Sequence, residues 1–272
     1  MEKYSAVFTD LDGTVLTKDK KITERTAKAL KGLKKKGILW VVATARAENS
    51  FSSLEEIKYA DALITLNGAK IKFNDRVISN GFASEDAIAI IKELQDKNFL
   101  IMLETSEGRF GNIAIPQWFT PKVDDLIEIA GKADVYKILV FGCDHQLSTV
   151  KEDKTQFAGV KEIEKTINDT FVSTGLEDAA YYSVAEGWLY QIMSKNATKW
   201  KGVELVLKKE GLSAGEAIYF GDDNDDIESI SNCGFGVAMG NAIDKVKAAS
   251  DVIAPSNDED GVAQIIEEKC GM

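Results

Sequence analysis

The sequence predicts an α/β fold, a doubly wound parallel sheet interrupted by an inserted α+β domain, and two observations predict it. Apolar runs of strand length alternate with capped segments of helix length toward both ends of the chain, the pattern of a sheet buried on both faces. The middle changes character: "FLIMLET", "RFGNIAI", "VYKILVF", "AAYYSVA" and "GWLYQIM" follow one another as extended, hairpin-like runs. The α/β core is therefore expected over residues 1–80 and 194–272, and the insertion over 81–193.

Taken in order, Ala6–Phe8 is a short buried strand that runs straight into the acidic "DLDGT". Thr23 is a natural cap for a helix over Thr23–Lys36. "LWVVA" (Leu39–Ala43) and "ALITL" (Ala62–Leu66) are the next strands, with a helix expected between them over Ala47–Lys58. In the insertion, helices are expected over Ser84–Lys97, Lys122–Ala130 and Phe157–Asn168. The core resumes with a helix over Lys199–Glu210, stopped by Gly211. "AIYF" (Ala217–Phe220), "FGVAM" (Phe235–Met239) and "DVIA" (Asp251–Ala254) supply the last strands. Helices over Asp226–Asn232, Ala242–Ala249 and Glu259–Lys269 accompany them.

With 272 residues, 44% of them apolar, the chain can fill one large or two ordinary cores. A net charge of -11 repels nucleic-acid backbones and anionic membranes, so neither is expected as a partner. A phosphorylated ligand needs positive charge supplied locally. Cys143, Cys233 and Cys270 stand far apart with no CxxC spacing, which suggests neither a disulfide framework nor zinc. The opening "MEKYSAVF" reads as direct entry into a strand without a basic, apolar leader, and no apolar run approaches membrane-spanning length. A cytoplasmic location is expected. Nothing in the residues sets the oligomeric state.

Ligands of a parallel sheet gather beyond the carboxyl ends of its strands. The loops expected there are "DLDGT" (Asp10–Thr14), "TAR" (Thr44–Arg46), "NGA" (Asn67–Ala69) and "GDDNDD" (Gly221–Asp226). An ionised aspartate at a strand tip, Asp10, can attack phosphorus while a hard divalent cation of the magnesium type shields the repulsion between carboxylate and phosphate. Asp12, two residues on, can act as acid and then base, and its proximity to Asp10 is expected to raise its pKa above about 3.9. Asp222 completes the metal site, while Thr44 and a lysine hold the phosphoryl oxygens. Gly13 lets the backbone turn.

With these motifs in this order, the chain resembles the haloacid dehalogenase (HAD) superfamily, specifically the Cof-type phosphatases with a large α/β (type IIB) cap. The resemblance rests on "DLDGT", on "ATAR" (Ala43–Arg46), and on "GDDNDDIE" followed by "GVAMGNA" and "SNDEDGVA". It implies a Rossmann-like core, an inserted cap that selects the substrate, and Mg2+. It also implies an aspartyl-phosphate mechanism with Asp10 as nucleophile and metal ligand. Asp12 is then general acid and base and offers its carbonyl to the metal, Asp222 is a further metal ligand, and Asp226 and Asp225 support them. Main-chain N–H groups of Leu11 and Ala45, with Thr44, would bind phosphate, and Asn67, Gly68 and Arg46 would support the site, a plain turn cap with Gly68 being the alternative for Asn67. The family's lysine, often in Ser-Lys-Gly, matches Lys199 of "NATKWKGVEL" best, with Trp200 where glycine is expected and Lys201-Gly202 as a rival register. Ala45 stands where glycine is common and Asp225 where asparagine is common.

The expected activity is Mg2+-dependent hydrolysis of small phosphomonoesters, a sugar phosphate or phosphorylated cofactor. A phosphotransferase or mutase using the same nucleophile is the alternative within enzymes, and a non-enzymatic switch phosphorylated on Asp10 the alternative outside them. The single histidine, His145, argues against a Ser-His-Asp hydrolase. "GFGVAMG" is not GxGxxG, and no GxxxxGK[ST] occurs.

Overall fold

The computed structural model describes residues 4–73, 76–141, 160–176, 179–184 and 189–272. They fall into two compact units, Met1–Ile78 with Ala197–Met272, and Ser79–Asn196. The span inferred from sequence for the insertion, 81–193, lies inside the second unit.

In the first unit, β1 (Ala6–Thr9) is buried along its whole length, as an unbroken apolar run requires in a sheet covered on both faces. α1 (Glu24–Lys35) begins where the Thr23 hydroxyl accepts from the Thr26 N–H, and it buries Ala27, Leu30 and Leu33. β2 (Leu39–Ala43) runs parallel to β1, with Val7 opposite Trp40. The helix expected over Ala47–Lys58 is instead two 3-10 turns, Glu48–Phe51 and Glu55–Tyr59. The Ser50 and Ser52 hydroxyls donate to the carbonyls of Ala47 and Asn49, local bonds that compete with a continuous helical ladder. β3 (Ala62–Thr65) is parallel to β2, but β4 (Lys70–Phe73) turns back antiparallel and β5 (Arg76–Ser79) extends the edge. The parallel pattern expected from sequence omits these two strands. Their alternation of charged and apolar residues suits an edge with a wet face rather than a buried centre. The turn from β3 to β4 is tight, with Leu66, Asn67 and Gly68 all at positive φ (52°, 55° and 95°).

The second unit contains α2 (Ser84–Asp96), β6 (Ile101–Thr105), β7 (Gly108–Gly111), α3 (Leu126–Ala130), β8 (Val135–Phe141), α4 (Val160–Thr174), β9 (Ala179–Val184) and β10 (Leu189–Ser194). The strands form an antiparallel sheet in the order β7-β6-β8-β10-β9. Ile101, Leu103, Ile138, Val140, Tyr190 and Ile192 pack with Ile90, Ile91 and Leu94 of α2 and Ile167 of α4. α3 is shorter than the expected Lys122–Ala130 because Asp125 caps it, accepting from the N–H groups of Ile127 and Glu128. α4 runs past the expected end at Asn168. His145, Cys143, Trp188 and residues 157–159 lie outside the described residues.

The first unit resumes with α5 (Lys199–Glu210), capped by Thr198, which accepts from the Lys201 N–H, and ended by Gly211 at φ 69°. β11 (Ala217–Gly221), α6 (Ile227–Asn232), β12 (Phe235–Ala238), α7 (Asp244–Ala249), β13 (Val252–Ile253) and α8 (Gly261–Lys269) follow. The sheet order is β13-β12-β11-β1-β2-β3-β4-β5. Strand order reverses between β1 and β11, with Val7 opposite Ile218, and such a reversal opens a crevice at the carboxyl ends of the strands.

The β3–β4 turn is pressed against the start of α5: a Cβ on Gly68 would lie 2.1 Å from the Thr198 carbonyl oxygen. Because that obstacle is backbone and the φ is positive, Gly68→Ala is expected to destabilise the protein by at least ~2 kcal/mol. Urea unfolding of the two proteins checks this, and equal midpoints would show that the turn relaxes freely.

Candidate active site

Asp10 follows β1 directly and is 5% exposed. Its N–H donates to the Phe220 carbonyl at 3.0 Å, which continues the β1–β11 ladder by one residue and aligns it with the end of β11. The chain then folds back, with the Leu16 N–H donating to the Leu11 carbonyl at 2.8 Å. Gly13 sits in this turn at φ 74°, and a Cβ there would fall 2.2 Å from Oδ2 of Asp222. Glycine thus does more than permit the turn: it lets the Asp222 carboxylate lie against the backbone. The Thr14 hydroxyl donates to Asp222 Oδ1 at 2.9 Å and fixes its orientation.

Lys199 opens α5 and points its ammonium into this crevice with 2% of its side chain exposed. Its Nζ lies 2.9 Å from Asp10 Oδ1, 2.8 Å from Asp226 Oδ1 and 3.2 Å from Asp225 Oδ1. Lys201 sits on the surface and pairs with Glu204 at 2.8 Å, so Lys199 is the lysine that the geometry brings to Asp10. Burial pulls the Lys199 pKa down, but Asp10 and Asp226 outweigh it and hold the group well above the ordinary lysine value. Burial likewise raises Asp10 well above the usual carboxylate range, with Lys199 opposing and Asp226 and Asp225 adding to the rise. Asp222 is pushed up to about 7, chiefly by burial and then by Asp226. One ammonium among four carboxylates leaves an excess of negative charge, which adds to the effect of burial on Asp10 and Asp222 and opposes it on Lys199.

Asp226 plays a different part. It is wholly buried; its Oδ1 accepts from Lys199 and, at 2.7 Å, from the Tyr219 hydroxyl. Its Oδ2 accepts from the N–H groups of Asp222 and Asp223 at 3.0 and 3.2 Å. Four donors saturate a carboxylate, so Asp226 anchors the loop and Lys199. Ligand atoms of Asp10, Asp222 and Asp226 lie within 4.8 Å of one another. Of these, Asp10 and Asp222 retain lone pairs, since among the described residues they accept from Lys199 and Thr14 respectively. Such hard oxygen donors fit a cation of the magnesium type.

Asp12 departs from the expectation. Burial does raise its pKa, but hydrogen bonds and charge from Arg46 and Lys20 more than offset this and hold it below the usual carboxylate value. Arg46 forks onto both oxygens, Nε to Oδ2 at 2.5 Å and Nη2 to Oδ1 at 2.6 Å, and Lys20 Nζ reaches Oδ1 at 2.6 Å. The neighbour that matters is thus a cation pair rather than the like charge of Asp10.

The β2 and β3 loops are knitted together, with the Asn67 N–H donating to the Thr44 carbonyl and the Leu66 N–H to the Arg46 carbonyl. Thr44 is buried, and its hydroxyl accepts from the Arg46 N–H at 3.2 Å; Ala45 is exposed. Asn67 Nδ2 donates to Asp225 Oδ2 at 3.1 Å, while its enclosed Oδ1 has no donor among the described residues. Asn241 and Asn257 also hold the site. Asn241 Nδ2 donates to the Gly13 carbonyl, its Oδ1 accepts from the Asn257 N–H, and Asn257 Nδ2 donates to the Leu16 carbonyl. Sequence reasoning missed both, along with Lys20 and Tyr219, although "GNA" and "SND" were at hand as motifs.

A model of the haloacid dehalogenase-like hydrolases matches residues 7–266. The 5-amino-6-(5-phospho-D-ribitylamino)uracil phosphatase YcsE of Bacillus subtilis is 25% identical over 259 residues, 94% of this chain and 92% of that protein. Among solved structures, a Thermotoga maritima protein superposes with a TM-score of 0.81 at 23% identity, covering 97% of each chain. A subclass IIB sugar phosphatase of the HAD superfamily superposes at 0.73 and 22% identity, covering 98% of this chain and 100% of that one. With nearly its whole length matched and the acidic crevice at its strand ends, the chain belongs to the haloacid dehalogenase-like hydrolase family.

Proposed function

We propose that the protein is a Mg2+-dependent phosphatase of small phosphomonoesters that works through an aspartyl-phosphate on Asp10. The observation that carries this reading is the buried contact of Lys199 with Asp10, beside Asp222, at the carboxyl ends of β1 and β11. Phosphatase names among relatives, including one that acts on a phosphoribityl compound, support the substrate class.

The carboxylates of Asp10 and Asp222, with the main-chain carbonyl of Asp12, would hold Mg2+. The cation would supply charge shielding between carboxylate and phosphate and stabilise charge on the transferring group. An Asp10 oxygen attacks phosphorus and the ester P–O bond breaks. Asp12 delivers a proton to the departing alkoxide, a role that requires it to be protonated in the substrate complex against the pull of Arg46 and Lys20. In the second half Asp12 takes a proton from water, whose oxygen displaces Asp10 and releases inorganic phosphate. Lys199, Thr44 and the N–H groups of Leu11 and Ala45 bind the phosphoryl oxygens, and Asp226 with Tyr219 keeps Lys199 in place. The second unit acts as the cap that selects the leaving group.

A panel of sugar, polyol and cofactor monophosphates tests the reading. Wild type with Mg2+ is expected to release inorganic phosphate from at least one member, and acid quenching to trap a phosphoryl adduct on Asp10. Asp10→Asn should lower kcat by more than about 10⁴-fold and Asp12→Asn by about 10²–10⁴-fold. No release from any member would defeat the proposal, and stoichiometric transfer to a second alcohol would point to a phosphotransferase.

The raised Asp222 carboxyl predicts how pH acts on Mg2+ binding. Below about 7 Asp222 is expected to carry a proton that the cation must displace, so affinity should rise as pH increases through that value. Isothermal titration in buffers of different ionisation enthalpy should show net proton release near pH 6. Affinity that is flat from pH 5.5 to pH 8 would contradict this.

A further inference from the structure

Lys20 stands in the closed turn after "DLDGT", where the Lys20 N–H donates to the Thr17 carbonyl and the Thr17 N–H to the Lys21 carbonyl, both at 2.9 Å. Its φ is 58°, left-handed backbone that favours glycine or asparagine and strains a lysine. Its side chain is 59% exposed, yet the ammonium is 2.6 Å from Asp12. An ion pair so open to water contributes too little to outweigh the strain, and Arg46 already satisfies both Asp12 oxygens. The pair with Asp12 therefore does not account for a lysine here.

Two cations on one carboxylate leave one net positive charge, half open to solvent, in a chain whose net charge is -11. A group that protonates a leaving oxygen must lie within hydrogen-bond reach of it, so cations that touch Asp12 flank the leaving group. Lys199 is engaged with Asp10, on the nucleophile's side. We propose that Lys20, together with Arg46, recognises a second anionic group on the leaving side of the substrate, a carboxylate one or two carbons from the ester oxygen. Arg46, whose Nε–Nη2 edge holds Asp12, offers its Nη1 side to that carboxylate, and Lys20 adds a mobile point charge. The inference rests on the phosphomonoesterase reading and narrows it to phosphorylated acids.

The test uses 2-phosphoglycolate and ethyl phosphate, esters of similar size that differ by the carboxylate. Isothermal titration with Mg2+ is done in an Asp10→Asn background, so that neither ligand is consumed, and wild-type turnover of both is measured alongside. Phosphoglycolate is expected to bind about tenfold tighter, equivalent to ~1.4 kcal/mol. The gap should close when Lys20→Gly is added and persist with Lys20→Arg. The chain's overall charge disfavours the more anionic ligand, so tighter binding reports a local site. Lys20→Gly relieves backbone strain, and a thermal midpoint no lower than that of the parent verifies folding. Equal affinities, or a gap that survives Lys20→Gly, overturn the assignment of Lys20 while turnover leaves the phosphatase reading standing. Neither binding nor turnover of either ester overturns both.

Discussion

The site is organised around an ammonium that water does not reach. Lys199 is 2% exposed and touches Asp10, Asp225 and Asp226; an isolated charge in that position would cost several kcal/mol. It is tolerable only because carboxylates from two strand ends surround it, and they are tolerable together only because it is there. The compensation is incomplete, since Asp222 brings a fourth negative group beside Thr14. A divalent cation would remove most of the remaining excess, so the charge balance of the crevice favours metal uptake.

Close approach is the second requirement, and glycine supplies it at the loops. Asp222 rests on the Gly13 turn, and the β3–β4 turn rests on Thr198 at the cap of α5 through Gly68. The Asp226 side chain fills the space a Cβ on Gly221 would need, with its Cβ 2.4 Å from that point. Each contact fixes a functional side chain by backbone packing, which is stiffer than a side-chain bond. The Asn241 and Asn257 amides then tie the carbonyls of the first loop, at Gly13 and Leu16, to the loops that follow β12 and β13. Rigid placement of this kind holds a short carboxylate in a fixed position at the strand ends, as the proposed attack on phosphorus would require.

Much of this was legible in the residues because it is encoded locally. The strands of β1, β2 and β11 are unbroken apolar runs, and the Thr23 and Thr198 caps lie one residue before their helices. Asp10, Asp222 and Lys199 each sit at an element's end, where the parallel topology alone predicts convergence. What could not be read depends on contacts distant in sequence. The Asp12 carboxylate takes its character from Arg46, on the neighbouring strand's loop, and from Lys20, which reaches it from a turn conformation that its residue type disfavours. Tyr219 was read only as part of the apolar run "AIYF", yet its hydroxyl completes the shell of Asp226. The helix expected over 47–58 gives way to two 3-10 turns, where the Ser50 and Ser52 hydroxyls bond to nearby carbonyls.

Asp225, where the family resemblance would have asparagine, contacts both Asn67 and Lys199. A carboxylate only accepts hydrogen bonds, so Asn67 must turn its Nδ2 toward Asp225, and the carboxamide oxygen is left enclosed without a donor. A primary amide at 225 could donate to that oxygen and would carry no charge. Hydrogen bonding and electrostatics therefore both count against the acid, since an unsatisfied buried acceptor costs about 1–3 kcal/mol and burial raises the Asp225 pKa despite the pull of Lys199. What Asp225 contributes is a third contact for Lys199 and a further negative charge beside the crevice. Both steady the ammonium and increase the demand for a cation, so this chain achieves tighter charge coupling at its strand ends by accepting a less stable loop.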